Sequence, residues 1–125
     1  MTEDPHSQEN DISEIFDLSK PLVHSKLLHL SNLSDEGIRL VQQAWTRADT
    51  GRRREVVTKL VNLSEADLKL NFSRVLTFCL SEPDETVKVQ SIMGLEAEED
   101  PALVPHLIRA LEDASDKVRA AAATA

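Results

Sequence analysis

Apolar residues recur along this chain at intervals of three and four, which places them on one face of a helix. No stretch alternates strictly between apolar and polar residues, as a half-buried strand would. The spacing predicts an all-α chain, with a short amphipathic turn near Ile12 and a helix after Pro21 that buries Val23, Leu27 and Leu30. Longer helices are predicted over 35–48, 51–63, 65–80, 84–96 and 101–112, and from residue 116 onward.

One phrase of nine residues occurs twice, as NLSDEGIRL over 32–40 and as NLSEADLKL over 62–70. The second copy follows the first by 62 − 32 = 30 residues. In each copy the serine has the position of a helix N-cap, whose hydroxyl accepts a hydrogen bond from an amide of the first turn. An apolar residue before the serine and another four positions after it would form a hydrophobic staple. The phrase therefore predicts equivalent helices that begin after Ser34 and after Ser64.

A second pair of similar segments lies towards the C-terminal end. LSEPDETVK, which contains Val87, aligns with LEDASDKVR, which contains Val118, at an offset of 118 − 87 = 31 residues. Val56 precedes Val87 by the same interval. Asp84 and Ser115 are the predicted N-caps of the helices that follow. A fixed period of this length is typical of stacked repeats, in which each helical hairpin buries its apolar face against its neighbours.

The repeats divide the chain into an acidic N-terminus, 1–11, which we expect to be disordered, and a repeat domain over 12–125. Within the domain, an N-terminal cap and successive repeats are predicted over 12–31, 34–63, 64–96 and 100–125. The predicted fold is a right-handed α-α superhelix, a solenoid of stacked helical hairpins. A terminal repeat normally has a polar outer face, whereas this chain stops inside an alanine-rich helix. We therefore expect the third repeat to be truncated at Ala125 and the native protein to continue.

The stretch DPALVPHLIRALEDASDKVRAAA, which starts at Asp100, resembles a HEAT repeat of the short type first described in phycobilisome lyases. The pattern is matched by Leu107, Leu111, Asp113, Asp116, Val118, Arg119, Ala121 and Ala122. The preceding pair departs from it, since Lys88 stands where arginine is usual and Ser91 where alanine is common. The pair over 35–63 matches by its helix pattern alone.

This resemblance implies a structural ladder, in which turn aspartates and second-helix arginines pair between neighbouring repeats; here these are Asp113, Asp116 and Arg119. It also implies a protein–protein interaction scaffold or adaptor without catalytic activity, which binds on the concave surface of the second helices. An alternative is a chaperone or non-catalytic component of a tetrapyrrole (bilin) lyase-like system. A third possibility, a HEAT-like DNA glycosylase, needs a basic groove that this composition does not supply.

Charge adds one candidate binding surface. The net charge of −8 argues against a general nucleic-acid binder, because phosphate contacts require a basic face. From Arg39 to Lys59, however, there are six basic and two acidic residues, including Arg52, Arg53 and Arg54. This run is either a solvated face of snorkelling side chains or a contact for an acidic partner protein.

The sequence offers no catalytic, metal or cofactor site. The four histidines are scattered and the three glycines are isolated. Cys79 has the spacing of a buried packing residue, and Trp45 is expected to pack in the core rather than stack on a ligand. One cysteine excludes an internal disulfide and suits a cytoplasmic protein. We expect no membrane or nucleic-acid partner, and either a monomer or weak self-association through the open C-terminal repeat.

Overall fold

The computed structural model describes residues 12–17, 19–67, 69–96 and 101–124, and every regular element in that part of the chain is helical. The all-α prediction is confirmed. The predictions for 1–11 and for the start at Asp100 lie outside the described residues. The first elements are α1 (12–15), α2 (His24–Leu27) with a 3-10 turn (Leu28–Leu30), α3 (Asp35–Trp45) and α4 (Thr50–Ala66). They are followed by α5 (Ser73–Cys79), α6 (Glu85–Leu95), a 3-10 turn (Pro101–Leu103), α7 (Val104–Ala110) and α8 (Asp116–Thr124).

The caps predicted for α3, α6 and α8 are confirmed. The hydroxyl of Ser34 accepts a hydrogen bond from the Gly37 amide at 3.0 Å. The Asp84 carboxylate and the Ser115 hydroxyl accept from the amides three residues further on, at 3.0 and 3.3 Å. Asp49 caps α4 in the same way. Each of these side chains satisfies an amide that has no partner within its helix.

The N-cap predicted at Ser64, in the second copy of the phrase, is wrong. Ser64 lies inside α4, and its hydroxyl donates to the Val61 carbonyl at 2.8 Å instead of accepting from a first-turn amide. The helix predicted from residue 65 begins at Ser73, where the Asn71 side chain accepts the Ser73 amide hydrogen bond at 2.9 Å. The predicted boundary at residue 64 therefore falls within a helix, and Leu68, which was to complete the staple, lies outside the described residues.

Helices pack as pairs and as layers. α5 contacts α6, and α7 contacts α8, so each pair forms a hairpin. We call α3 and α4, which are joined by a hydrogen bond from Arg53 to the Trp45 carbonyl, the first hairpin, α5 and α6 the second, and α7 and α8 the third. The second helices α4, α6 and α8 also contact one another in order, while α3 contacts α5. The N-terminal segment joins the same core through Ile12, Ile15 and Phe16, which are buried. Leu27 and Leu30 are buried as predicted, but Val23 is exposed, so its predicted burial is wrong.

Trp45 packs in the core, as expected. Its ring meets Phe16 and Phe78 edge to face, with centroids 5.5 and 5.6 Å apart, and the guanidinium of Arg53 lies over it at 5.3 Å. Such aromatic pairs add to the energy of area burial. Trp45 thereby ties the N-terminal segment to both layers of the fold.

Prolines explain the irregular start of the last hairpin. Pro101 opens a 3-10 turn, so the α-helix predicted from residue 101 begins only at Val104. Pro105 then lies in the first turn of α7, where its missing amide hydrogen costs no intrahelical bond. None of the helices in the described residues is long and apolar enough to cross a membrane.

Candidate protein-interaction surface

Helices α4, α6 and α8 form one layer whose neighbours run in the same direction. Near the start of both helices, Arg54 of α4 reaches Asp84, the N-cap of α6. Near their ends, Gly94 of α6 approaches α4 so closely that a Cβ on the glycine would lie 3.0 Å from Val61 Cγ2. The missing side chain at Gly94 therefore permits close, parallel packing.

One contact between these helices recurs along the chain. Arg54 donates from Nε and Nη2 to the Asp84 carboxylate at 3.0 and 2.7 Å. Glu85 occupies the equivalent position of Arg54 (54 + 31 = 85), and Ser115 that of Asp84 (84 + 31 = 115). The Ser115 hydroxyl donates to the Glu85 carboxylate at 2.5 Å. The geometry repeats with donor and acceptor exchanged, which supports a period of 31 residues for these helices.

The predicted ladder residues Asp113, Asp116 and Arg119 lie in the turn after α7 and in the first half of α8. Lys88 of α6 donates to the Asp113 carboxylate at 2.5 Å, which joins neighbouring hairpins. Arg119 donates to the backbone carbonyl of Asp113 at 2.7 Å, within its own hairpin. The carboxylate of Asp116 is exposed and makes no hydrogen bond or ion pair with the described residues.

These contacts keep the aspartates charged. The hydrogen bond from Arg54 holds the pKa of Asp84 below its usual value, and the bond from Lys88 does the same for the pKa of Asp113. Pairing with Asp84 in turn raises the pKa of Arg54. Hydrogen bonds to the ionised form are the cause in each case.

The outward side of the layer is an open face of mixed charge. We call it the second-helix face and define it by the exposed residues Glu55, Lys59, Asn62, Thr86, Met93 and Lys117. Met93 lies on α6, the middle helix of the layer, and is 48% exposed. Its equivalent on α4 is Asn62 (62 + 31 = 93), so an apolar side chain stands where the neighbouring repeat has a polar one. Sequence reasoning missed Met93, although its repeat position could have indicated it.

The three consecutive arginines point to different places. Arg52 is 6% exposed and donates to the carbonyls of Ile15, Asp17 and Lys20. Arg53 donates to the Trp45 carbonyl and to Glu82, whereas Arg54 binds Asp84. Their hydrogen-bonding groups contact this chain itself, so the structure does not gather the arginines on one open surface. Partner binding by them stays a prediction.

A cleft and a cysteine are further candidates for chemistry among the described residues. A cleft of about 300 Å³ between the second and third hairpins is lined by Lys88, His106 and Asp113, of which Lys88 and Asp113 pair with each other. Burial raises the pKa of the Cys79 thiol to about 12, so the group is neutral. Among the described residues, no group of three or more His, Cys, Asp or Glu side chains could hold a metal ion.

No protein-family model, curated protein sequence or solved structure matches this chain. The layer of second helices and the side chains that it exposes are therefore the features that bear on function.

Proposed function

We propose that this chain is a HEAT-like, right-handed α-α superhelix that serves as a protein–protein interaction scaffold or adaptor without catalytic activity. The partner is another protein, bound on the second-helix face, in the cytoplasm. The observation that carries the proposal is the parallel layer of α4, α6 and α8, because it aligns equivalent positions of successive helices into one continuous surface.

The composition of the second-helix face supports a protein partner. Glu55, Lys59 and Lys117 offer charges of both signs, which suits a polar rim. Met93 supplies an exposed, flexible apolar side chain on the middle helix, and methionine is enriched in the cores of protein interfaces. A segment that covers Met93 and pairs with the surrounding charges would use both features.

Substitution of Met93 tests the proposal. We expect the immobilised wild-type chain to capture a specific partner from cell extract, identified by mass spectrometry. Met93→Asp should weaken that capture about 30-fold, since a central interface residue contributes about 2 kcal/mol or more. Leu28→Asp is the matched control, because Leu28 is another exposed apolar residue, 44% accessible, on a different part of the surface.

A partner retained by the Leu28→Asp chain but lost by the Met93→Asp chain would support the second-helix face. Equal recovery by both variants would contradict it, provided that thermal unfolding shows both to be folded. Visible absorbance of a tetrapyrrole in the purified complex would instead favour the lyase-like alternative.

A further inference from the structure

The third hairpin exposes an apolar stripe on its first helix. Val104, Ile108 and Leu111 are 51%, 54% and 44% exposed. Their spacing of four and then three residues places them on one side of α7 and the turn after it. Leaving such side chains in water forgoes the free energy of burying them.

The 31-residue period shows what covers this stripe elsewhere in the chain. Leu80 is equivalent to Leu111 (80 + 31 = 111), and Thr77 to Ile108. Both line the junction with the third hairpin, and Leu80 packs against the cluster that includes Val118. The third hairpin thus covers this surface of the second hairpin, whereas the equivalent surface of the third hairpin is exposed.

Helix α8 continues the same open surface. Exposed Ala123 is equivalent to Ile92, which is buried against α8. Arg119 is equivalent to Lys88, whose partner is the turn carboxylate Asp113 of the following hairpin. Exposed Asp116 is equivalent to Glu85, which accepts a hydrogen bond from the capping hydroxyl of the following hairpin. Among the described residues, no carboxylate of a following turn lies opposite Arg119 and no hydroxyl lies opposite Asp116.

We propose that the end surface formed by α7 and α8 docks a further helical hairpin of the same type, whose turn carries a carboxylate and a Ser or Thr cap. The docked hairpin would cover Ile108 and Leu111, accept a hydrogen bond from Arg119 and donate one to Asp116. The junction between the second and third hairpins is the template for this interface, in geometry and in charge.

A second copy of the chain does not offer such a hairpin. In its third hairpin the face that would dock is already packed against α5 and α6. At its first hairpin the equivalent side holds the N-terminal segment, through Arg52 and the buried residues Ile15 and Phe16. The partner must therefore present a hairpin with that face free. The proposal is independent of the second-helix face, so either could fail alone.

An added copy of the chain's own hairpin tests this inference. Residues 95–125, one full period of 31 residues, are appended directly after Ala125, since they contain the turn carboxylate and the capping serine. The copy of Asp113 then follows Arg119 by 25 residues, as Asp113 follows Lys88. We expect the extended chain to gain helical circular dichroism and to unfold about 5 °C higher than the original, because each new repeat interface adds stability. Ile108→Asp with Leu111→Asp in the original hairpin should abolish both gains, whereas Leu28→Asp should preserve them.

A charge exchange provides a second measurement that tolerates local destabilisation. Arg119→Glu should reduce the rise in unfolding temperature that the extension produces. Replacing the appended copy of Asp113 with Arg should restore that rise. Comparing each variant with and without the extension cancels the loss of the bonds that Arg119 makes in its own turn. An appended copy that stays unfolded on the unsubstituted chain would overturn the proposal. So would sedimentation showing that the original chain dimerises through Ile108 and Leu111.

Discussion

Among single residues, Arg52 does most to connect distant parts of the chain. Its guanidinium donates to the carbonyls of Ile15 and Lys20 at 2.7 and 2.8 Å, and also bonds Glu55. The sequence could not predict this role, because backbone carbonyls are present at every position and these acceptors lie 32 to 37 residues away. A run of arginines looked like a surface feature, whereas Arg52 is a buried clamp.

Replacing Arg52 tests this clamp. Arg52→Met should lower the free energy of unfolding by about 3 kcal/mol, because one buried and two part-buried carbonyls lose a charged donor. Arg52→Lys should recover only part of the loss, since an ammonium group cannot reproduce the planar fork. Urea denaturation provides the measurement, and hydrogen exchange should show faster exchange over 12–20.

Arg54→Met is the matched control, because it removes a neighbouring arginine whose side chain is 49% exposed, against 5% for Arg52. Its effect on the urea midpoint should be much smaller. Similar losses for Arg52→Met and Arg54→Met would show that position 52 is not a clamp.

At the scale of helices, the doubled phrase shows where local sequence stops predicting structure. Asn32 adopts a left-handed conformation, with φ of 52°, which separates the preceding 3-10 turn from α3 and frees Ser34 to cap. Asn62 is helical, because Leu60, Val61 and Leu63 are already buried in α4 and carry the helix past Ser64. The same Asn-Leu-Ser therefore begins one helix and lies inside another, since tertiary burial outweighs the capping preference.

The helix-capping carboxylate Asp84 should give the fold an acid-sensitive junction. Its pKa is lower in the folded than in the unfolded chain, chiefly because of the bond from Arg54. Its stabilising contribution is therefore complete above about pH 4, the usual pKa of aspartate, and is lost as the pH falls through the lower folded value. Asp84→Asn should keep the cap and lose this contribution, so the free energies of unfolding of the wild-type and substituted chains should differ most at pH 7.

Urea midpoints between pH 7 and pH 3 measure the effect. The gap between wild-type and Asp84→Asn chains should narrow below about pH 4. Glu96→Gln removes an exposed carboxylate that has no ion pair among the described residues, and it should run parallel to wild type. A gap for Asp84→Asn that does not change with pH would refute a role for its charge.

For the molecule as a whole, burial is distributed unevenly. In the described part of the chain, one large apolar cluster joins the N-terminal segment to the first and second hairpins. The third hairpin depends mostly on a small cluster of Ile92, Val118 and Ala122. Few buried contacts permit local opening at low free energy. The third hairpin should therefore open without unfolding of the rest.

Hydrogen exchange read by mass spectrometry tests this difference. Amides of α7 and α8 should exchange at least about tenfold faster than those of α4, which corresponds to about 1.4 kcal/mol in opening free energy. Val118→Ala should increase exchange in α7 and α8 alone. Equal protection of α4 and α8 would instead indicate one cooperative unit.

The sequence predicted the all-α fold class and its buried positions better than the surface. Val56, Val87 and Val118, matched by their interval, are all buried, because a period of apolar residues reports directly on which side faces the core. Met93 was missed and Arg52 was assigned to the surface, since exposure and backbone contacts depend on which helices become neighbours. The apolar pattern specifies the side of a helix but does not identify its neighbour.

The exchange of hydrogen-bond donor and acceptor at the helix starts has a consequence for the order of the hairpins. Arg54 of the first hairpin binds a carboxylate of the second, while Glu85 of the second hairpin accepts a hydrogen bond from a hydroxyl of the third. If the second and third hairpins changed places, Arg54 would meet Ser115 and lose its ionic partner. The contacts at each junction are thus specific for the order in which the hairpins follow one another.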